Sequence, residues 1–382
     1  MLSLAFLVAF SLHLLLFSYS PLITPIMEEM NLSNTQAGLT FSMSILALII
    51  FRIPWGLISD SIGYLKTLRV SLLIIAVTAI LRGFSNNYSS LIIAQVMLGI
   101  GLASVIPCLP SIVKEWFYAE RVAFSTGVYV SGFALGNMAG LGLTPYLLEL
   151  TGSWRSTFKI YGIFSLFLAL SWWSLGKSRG LKYNNYLESY RNFKEIFKLR
   201  ELWILLGLVF CSMGTYDTLA TWLPRVLRLK GFSREKAGLI ASLLSLGFFL
   251  AGPVTGIFSD RFRARKPFIF TFGLVIGPVI LGIAYFKGLL LLACIFLAGF
   301  LSIGVFTMAM AIPTESNTFA ESVGSAVGFI SALGNLGPFL MPITFGYLID
   351  ITKNYVPSII MVSLVAESIF LFGILLRENS KY

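Results

Sequence analysis

The residues able to do chemistry in this chain are few, and they stand where charge is expensive. Arg52 lies in the middle of an apolar stretch from Gln36 to Ser59, in Phe51-Arg52-Ile53-Pro54-Trp55-Gly56. An arginine at the centre of a membrane helix costs roughly 2.5–3.5 kcal/mol on insertion scales, so one that is retained is usually used. Its planar fork of donors matches a carboxylate or another small oxyanion two bonds at a time. Two roles are open to it: contact with an anionic substrate, or a structural pairing with Asp217 or with helix carbonyls. Asp217, in Gly214-Thr215-Tyr216-Asp217-Thr218, stands in another apolar stretch, where a carboxylate can carry a proton or pair with Arg52. Tyr216 beside it and Tyr19 are candidates to line a cavity, or are interfacial aromatic residues. His13 is the only histidine. It either titrates near neutral pH as a coupling group or bridges helices through a hydrogen bond, the simpler role. Glu367, deep in the last apolar stretch, is expected to make a local hydrogen bond. Asn137 and Asn335 either donate to a substrate or hold helices together.

This set excludes most enzymology. One histidine leaves little acid–base chemistry, and no phosphate-binding Walker loop, His-Glu-x-x-His pair or Gly-x-Ser-x-Gly elbow appears. No metal-ligand spacing is present and no cofactor is expected. Cys108, Cys211 and Cys294 lie inside apolar segments and read as small buried hydrophobes.

The elements that position these residues are membrane helices. The chain is 57% hydrophobic and 12% charged, against about 25% charged residues in a soluble domain. The net charge of +11 sits mainly in loops between apolar stretches, which suits cytoplasmic retention and anionic lipid headgroups rather than nucleic acid. The first apolar segment is too long for a cleavable signal and reads as a first span. With about 20 residues needed per crossing, spans are expected near 3–27, 35–58, 67–84, 89–113, 120–148, 155–176, 202–226, 235–258, 267–285, 288–313, 320–348 and 355–376. The fold class is therefore an all-α integral membrane protein of 12 transmembrane helices. It divides into a six-helix bundle over 1–176, a cytoplasmic linker over 177–201 with a short surface helix near 192–200, and a second six-helix bundle over 202–382.

The halves repeat. Ala37-Gly38-Leu39 recurs as Ala237-Gly238-Leu239, Gly56 with Ser59-Asp60 as Gly256 with Ser259-Asp260, and Ala134-Leu135-Gly136-Asn137 as Ala332-Leu333-Gly334-Asn335. An even number of helices per half keeps both halves in one orientation. This is the parallel pseudo-two-fold repeat of a rocking transporter, whose site lies near the midplane between halves. Lys and Arg favour both termini on the cytoplasmic side of the cell membrane. The loop with Arg225, Arg228, Lys230, Arg234 and Lys236 runs against that bias.

The segment Gly56-Leu57-Ile58-Ser59-Asp60-Ser61-Ile62-Gly63-Tyr64-Leu65-Lys66 resembles the loop between spans 2 and 3 of the major facilitator superfamily, Gly-x-Leu-x-Asp-Arg-x-Gly-Arg-Lys. Gly56, Asp60 and Gly63 match, and Lys66 comes one place late. The second copy keeps Gly256, Asp260 and Arg261, with Arg263 at the second glycine. The resemblance implies a gate, in which Asp60 caps a neighbouring helix or pairs with a base across the halves. Arg52-Ile53-Pro54-x-Gly56 is similar to span 2 of the nitrate/nitrite porters, whose arginine there binds the anion. Those porters carry a second arginine on span 8, where this chain has Gly252. Ser331-Ala332-Leu333-Gly334-Asn335-Leu336-Gly337-Pro338 resembles both the nitrate-porter signature and that of organic-anion symporters. In proton-coupled drug exporters of this fold an arginine precedes the Gly-x-Gly of span 4; Gln95 stands there, before Gly99 and Gly101.

These observations predict a monomeric secondary transporter of a small solute, most plausibly an organic or inorganic anion, with or without a co-transported proton. A multidrug or sugar-like transporter is the alternative, and a membrane enzyme or non-transporting receptor is disfavoured.

Overall fold

The computed structural model describes residues 1–179, 197–262, 264–315, 319 and 323–376. Helices are the regular structure found there, because a backbone in hydrocarbon must satisfy its own hydrogen bonds. Eleven helical stretches among the described residues are long and apolar enough to cross a membrane. A twelfth helix, Ala119–Thr151, occupies the place expected for span 5. It is 33 residues long and rich in Gly, Ser, Thr and Asn, so its hydropathy understates its length. The all-α, twelve-helix architecture expected from sequence is the one observed. The surface helix expected near 192–200 falls largely outside the described residues.

Three spans are interrupted. Span 1 is two helices, Leu2–Phe17 and Tyr19–Met30. Span 4 is Tyr88–Leu102 followed by Val105–Trp116. Span 11 is Val323–Gly334 followed by Leu336–Thr352, with Asn335 at the joint. Proline lies shortly after each break, at Pro21, Pro107 and Pro338, where its missing N–H and its ring favour interruption. Broken membrane helices are tolerated where the freed backbone groups find partners or line a cavity.

The chain divides into two compact units. One comprises Met1–Asn185 with Leu223–Ser242, the other Tyr186–Trp222 with Leu243–Tyr382. In the first, span 1 packs along span 5 on a stripe of glycines. A Cβ added to Gly132, Gly136 or Gly140 would lie 2.6 Å from the Phe6 carbonyl oxygen, 2.1 Å from that of Phe10 and 3.1 Å from that of Leu14. Span 2, Asn34–Ile62, meets span 4 the same way: a Cβ added to Gly99 would lie 2.3 Å from the Ser44 carbonyl oxygen. Small residues let backbones approach this closely, which is how membrane helices gain packing without a hydrophobic drive. The Leu223–Ser242 segment belongs to this unit through Gly238, whose added Cβ would sit 2.6 Å from the Leu141 carbonyl oxygen.

The second unit makes similar contacts. A Cβ added to Gly299 would lie 2.0 Å from the Leu244 carbonyl oxygen, at the positions that repeat Gly99 and Ser44. One added to Gly337, three residues beyond the Gly334 that matches Gly136, would lie 2.2 Å from that of Phe210. The internal repeat seen in the sequence thus extends to backbone contacts that the sequence matches did not include.

Candidate substrate site

Span 2 carries Arg52, and its neighbours fix that stretch of helix. Where span 4 breaks, the Ser104 N–H bonds to the Gly101 carbonyl, and the Trp55 indole donates to the Ile100 carbonyl at 2.7 Å. One turn further on, buried Ser59 lies 3.6 Å from the Cys108 thiol. Two side chains of span 2 are therefore tied to both halves of span 4, on either side of its break. Arg52 is partly exposed, yet its Nε is buried without a hydrogen-bond partner among the described residues. The one ion pair found among the described residues joins Arg155 to Glu29, so no carboxylate of its own unit neutralises Arg52. A guanidinium with buried, unpaired donor capacity at mid-span is a setting for a bound oxyanion.

Span 7 is the helix Arg200–Leu229, of which the part up to Trp222 belongs to the second unit. Asp217 is half-buried on it, and the hydroxyls of Thr215 and Thr218 beside it are buried without a hydrogen-bond partner among the described residues. Tyr216 is buried, with its hydroxyl 3.5 Å from Ser245 Oγ and its ring edge-on to Phe248 at 5.4 Å. Asn335 stands at the break of span 11 and donates to the Ser331 carbonyl. The break lies against span 7, because Gly337 and Gly214 meet backbone to backbone. Asn335 and the Tyr216–Asp217 pair therefore ride on contacting segments. Asn137 is fully buried in span 5, one residue beyond the Gly136 contact with span 1.

Two candidates have settings tied to helix packing. The Tyr19 hydroxyl donates to the Ala37 carbonyl at 3.0 Å, fully buried, and thereby fastens span 1 to the start of span 2. At 1.5 Å per residue, Ala37 is about 22 Å along the helix from Arg52. His13 lies against the rings of Phe17 and Phe133, at 5.5 and 4.9 Å, and hydrogen-bonds the Phe133 backbone.

At the other end of span 2, Gly63 both ends that helix and opens span 3, Tyr64–Arg82, at φ 84°, a left-handed conformation that favours glycine. Asp60 is half-exposed on the last turn, and Lys66 is exposed. In the second copy, Gly256 has open space where a Cβ would stand, and Arg261 is exposed. The Asp260 side chain and Arg263 fall outside the described residues. A side chain at Gly252, the place of the second arginine in the nitrate porters, would also meet open space. The three cysteines are buried and form no disulfide among the described residues.

Sequence reasoning missed several residues. Arg82 ends span 3 and reads as a loop charge, yet it is fully buried. Its guanidinium donates to the Leu15 carbonyl at 3.0 Å and lies 4.2 Å from the centre of the Phe158 ring. Glu115, buried at the end of span 4, accepts from Ser178 at 2.8 Å and from the Arg179 backbone, which fixes the start of the polar linker. Glu29 pairs with Arg155 and accepts from the Trp154 indole at 2.6 Å. Each pairing spans 63 residues or more, and no periodicity in the sequence announces it.

The family follows from matches over nearly the whole chain. The family model for the Major Facilitator Superfamily matches residues 5–236 and 228–381. The chain belongs to the major facilitator superfamily and is a multi-pass membrane transporter of a small molecule, not an enzyme. It is 25% identical over 338 residues to a "Probable nitrate transporter NarT" of Staphylococcus haemolyticus, covering 88% of this chain and 86% of that one. A "Probable nitrate transporter NarT" of Staphylococcus epidermidis is 26% identical over 342 residues, at 88% and 85% coverage. Among solved structures, a bacterial homologue of the human lysosomal transporter Spinster, inward-facing and occupied, aligns with TM-score 0.78 at 18% identity, over 98% of this chain and 95% of that one. A D-xylose-proton symporter aligns with TM-score 0.78 at 17% identity, over 100% and 98%. At these identities the structural likenesses speak for the fold.

Proposed function

We propose that this protein is a secondary active transporter of a small oxyanion, with nitrate and small carboxylates the foremost candidates. The observation that carries the reading is Arg52: a mid-span guanidinium with a buried donor that has no partner and no carboxylate of its own unit to neutralise it. The relatives named as probable nitrate transporters support the same class. Gly252 in place of a second arginine points to a site with one guanidinium, and so to weaker or broader anion selection.

In this reading the anion sits on Arg52, and Asn137, Asn335 and Tyr216 are further candidate substrate ligands. Asp217, flanked by the unsatisfied hydroxyls of Thr215 and Thr218, carries a coupled proton. Tyr19 and His13 hold span 1 to spans 2 and 5. The two bundles alternate access, and each ligand favours whichever state it binds better. Asp60 and its copy Asp260 belong to the gate, on the face that also holds both termini, the cytoplasmic side. The working unit is a monomer.

The test is initial-rate uptake into proteoliposomes of nitrate, formate, lactate and succinate, with a neutral sugar and an organic cation as controls. Uptake of one anion class that is competed only by other anions is expected. Uptake of the sugar or cation with no anion accepted would overturn the assignment.

A further inference from the structure

A second basic feature lies far from Arg52. Five bases, Arg225, Arg228, Lys230, Arg234 and Lys236, stand with a single acid, Glu235, in twelve residues joining span 7 to span 8. The loop lies at the membrane face opposite Asp60, because Arg225 reaches Asn34, at the first residue of span 2, whereas Asp60 is near the last. On the proposed orientation it faces outward, where basic loops oppose the usual bias. Arg225, Arg228 and Arg234 line a small open recess with Thr24, Pro21 and Pro224.

The recess has a fixed wall and adaptable arms. Arg225 donates to Asn34 Oδ1 at 3.0 Å and to Thr24 Oγ1 at 3.3 Å, which pins it to the ends of spans 1 and 2. Arg228 is exposed and donates to the Phe232 carbonyl at 3.3 Å, and Glu235 lies close enough to interact with both Arg228 and Arg234. Arg234 begins the span 8 helix Arg234–Phe262, whose first turn lines the same recess through Arg234 and Ala237. Three guanidiniums against one acid in the loop make a positive potential at this end of the unit.

We propose that this recess captures small oxyanions, nitrate or a carboxylate, before they reach Arg52. The inference rests on the anion reading of Arg52 for its purpose, though not for its test. An anionic lipid headgroup offers the same chemistry, and the experiment separates the two.

The experiment is equilibrium nitrate binding in nanodiscs of zwitterionic lipid at low ionic strength. It compares wild type, Arg52→Ala, and Arg52→Ala combined with Arg228→Gln and Arg234→Gln. Arg225 is left intact because it also holds Asn34 and Thr24. Working in the Arg52→Ala background isolates the recess. Residual, salt-sensitive nitrate binding is expected there, weakened about five-fold or more by the glutamine pair. With Arg228→Lys and Arg234→Lys instead, which keep the charge, binding should fall less. No residual binding in Arg52→Ala, or binding indifferent to the glutamine pair, would overturn the proposal. So would a glutamine effect confined to nanodiscs containing phosphatidylglycerol, which would make the headgroup the ligand. Equal nitrate binding by wild type and Arg52→Ala would instead defeat the central-site reading while the glutamine comparison still decides the recess.

Discussion

Arg52 and Arg82 are both arginines inside the bundle, and their surroundings assign them different work. Arg82 spends a donor on the Leu15 carbonyl and its face on Phe158, and is fully buried. Like Arg52 it keeps buried nitrogens, Nε and Nη2, without a hydrogen-bond partner among the described residues. What sets it apart is that it already binds span 1 and the Phe158 ring. Buried ions of this kind are often replaced by apolar residues of similar size with no loss of stability. Arg82→Met should therefore leave the melting temperature unchanged or raise it, whereas Arg82→Ala, which empties the space, should cost about 2–5 kcal/mol. Equal losses in both variants, measured by thermal unfolding in detergent, would mean that the charge itself is needed. Asp217 tests the coupling reading. Asp217→Asn keeps the shape of the side chain but removes the proton site. Uptake driven by a pH gradient should fall at least tenfold while anion exchange across equal pH persists; loss of both would make Asp217 a substrate ligand or a structural residue. Arg52, Asp217 and Asn335 stood out in the sequence because charge and amide are costly in apolar helices. Arg82 did not, because a base at a span end looks the same whether it turns to solvent or into the bundle.

The helices meet on glycines, and the glycines differ in what surrounds them. Gly136, Gly99, Gly299 and Gly337 each face a carbonyl oxygen of a neighbouring helix, whereas Gly252 faces open space. Alanine has better helix propensity than glycine by about 1 kcal/mol. Gly252→Ala should thus be neutral or slightly stabilising. Gly136→Ala and Gly299→Ala should each destabilise by about 1–3 kcal/mol, because the helix pair must separate. Thermal unfolding of the three variants checks this; an alanine at Gly299 as harmless as one at Gly252 would show that spans 8 and 10 are not held at the contact distance described. Span positions were readable from hydropathy because the bilayer sets their length. The breaks in spans 1, 4 and 11 were not read, since proline is common in membrane helices that stay continuous. Pro54, Pro145 and Pro253 lie inside unbroken helices here. What distinguishes a break is a partner for the freed carbonyl, such as the Trp55 indole on Ile100, and that partner comes from another span.

At the scale of the molecule, the two-fold repeat was legible from three short matches, and the paired contacts at Ser44 and Leu244 extend it to the packing. The halves depart from symmetry at one candidate site position: one half carries Arg52 and the other Gly252. Gly252→Arg would restore the second guanidinium in space that is open to it. It should tighten nitrate binding about tenfold, by about 1.4 kcal/mol, and disfavour larger carboxylates. Isothermal titration with nitrate and succinate checks this, and equal weakening of both would mean that position 252 lies outside the anion site.

The central claim is that Arg52 binds the transported anion. Its most direct test is a thermal-shift titration of purified wild type, Arg52→Lys and Arg52→Ala with nitrate, formate and small carboxylates, since a ligand that binds only the folded state raises its stability. The account predicts that one anion class stabilises the wild type, that Arg52→Lys responds weakly, and that Arg52→Ala, folded as well as the wild type, keeps at most a small response. A full anion response in a well-folded Arg52→Ala would contradict it.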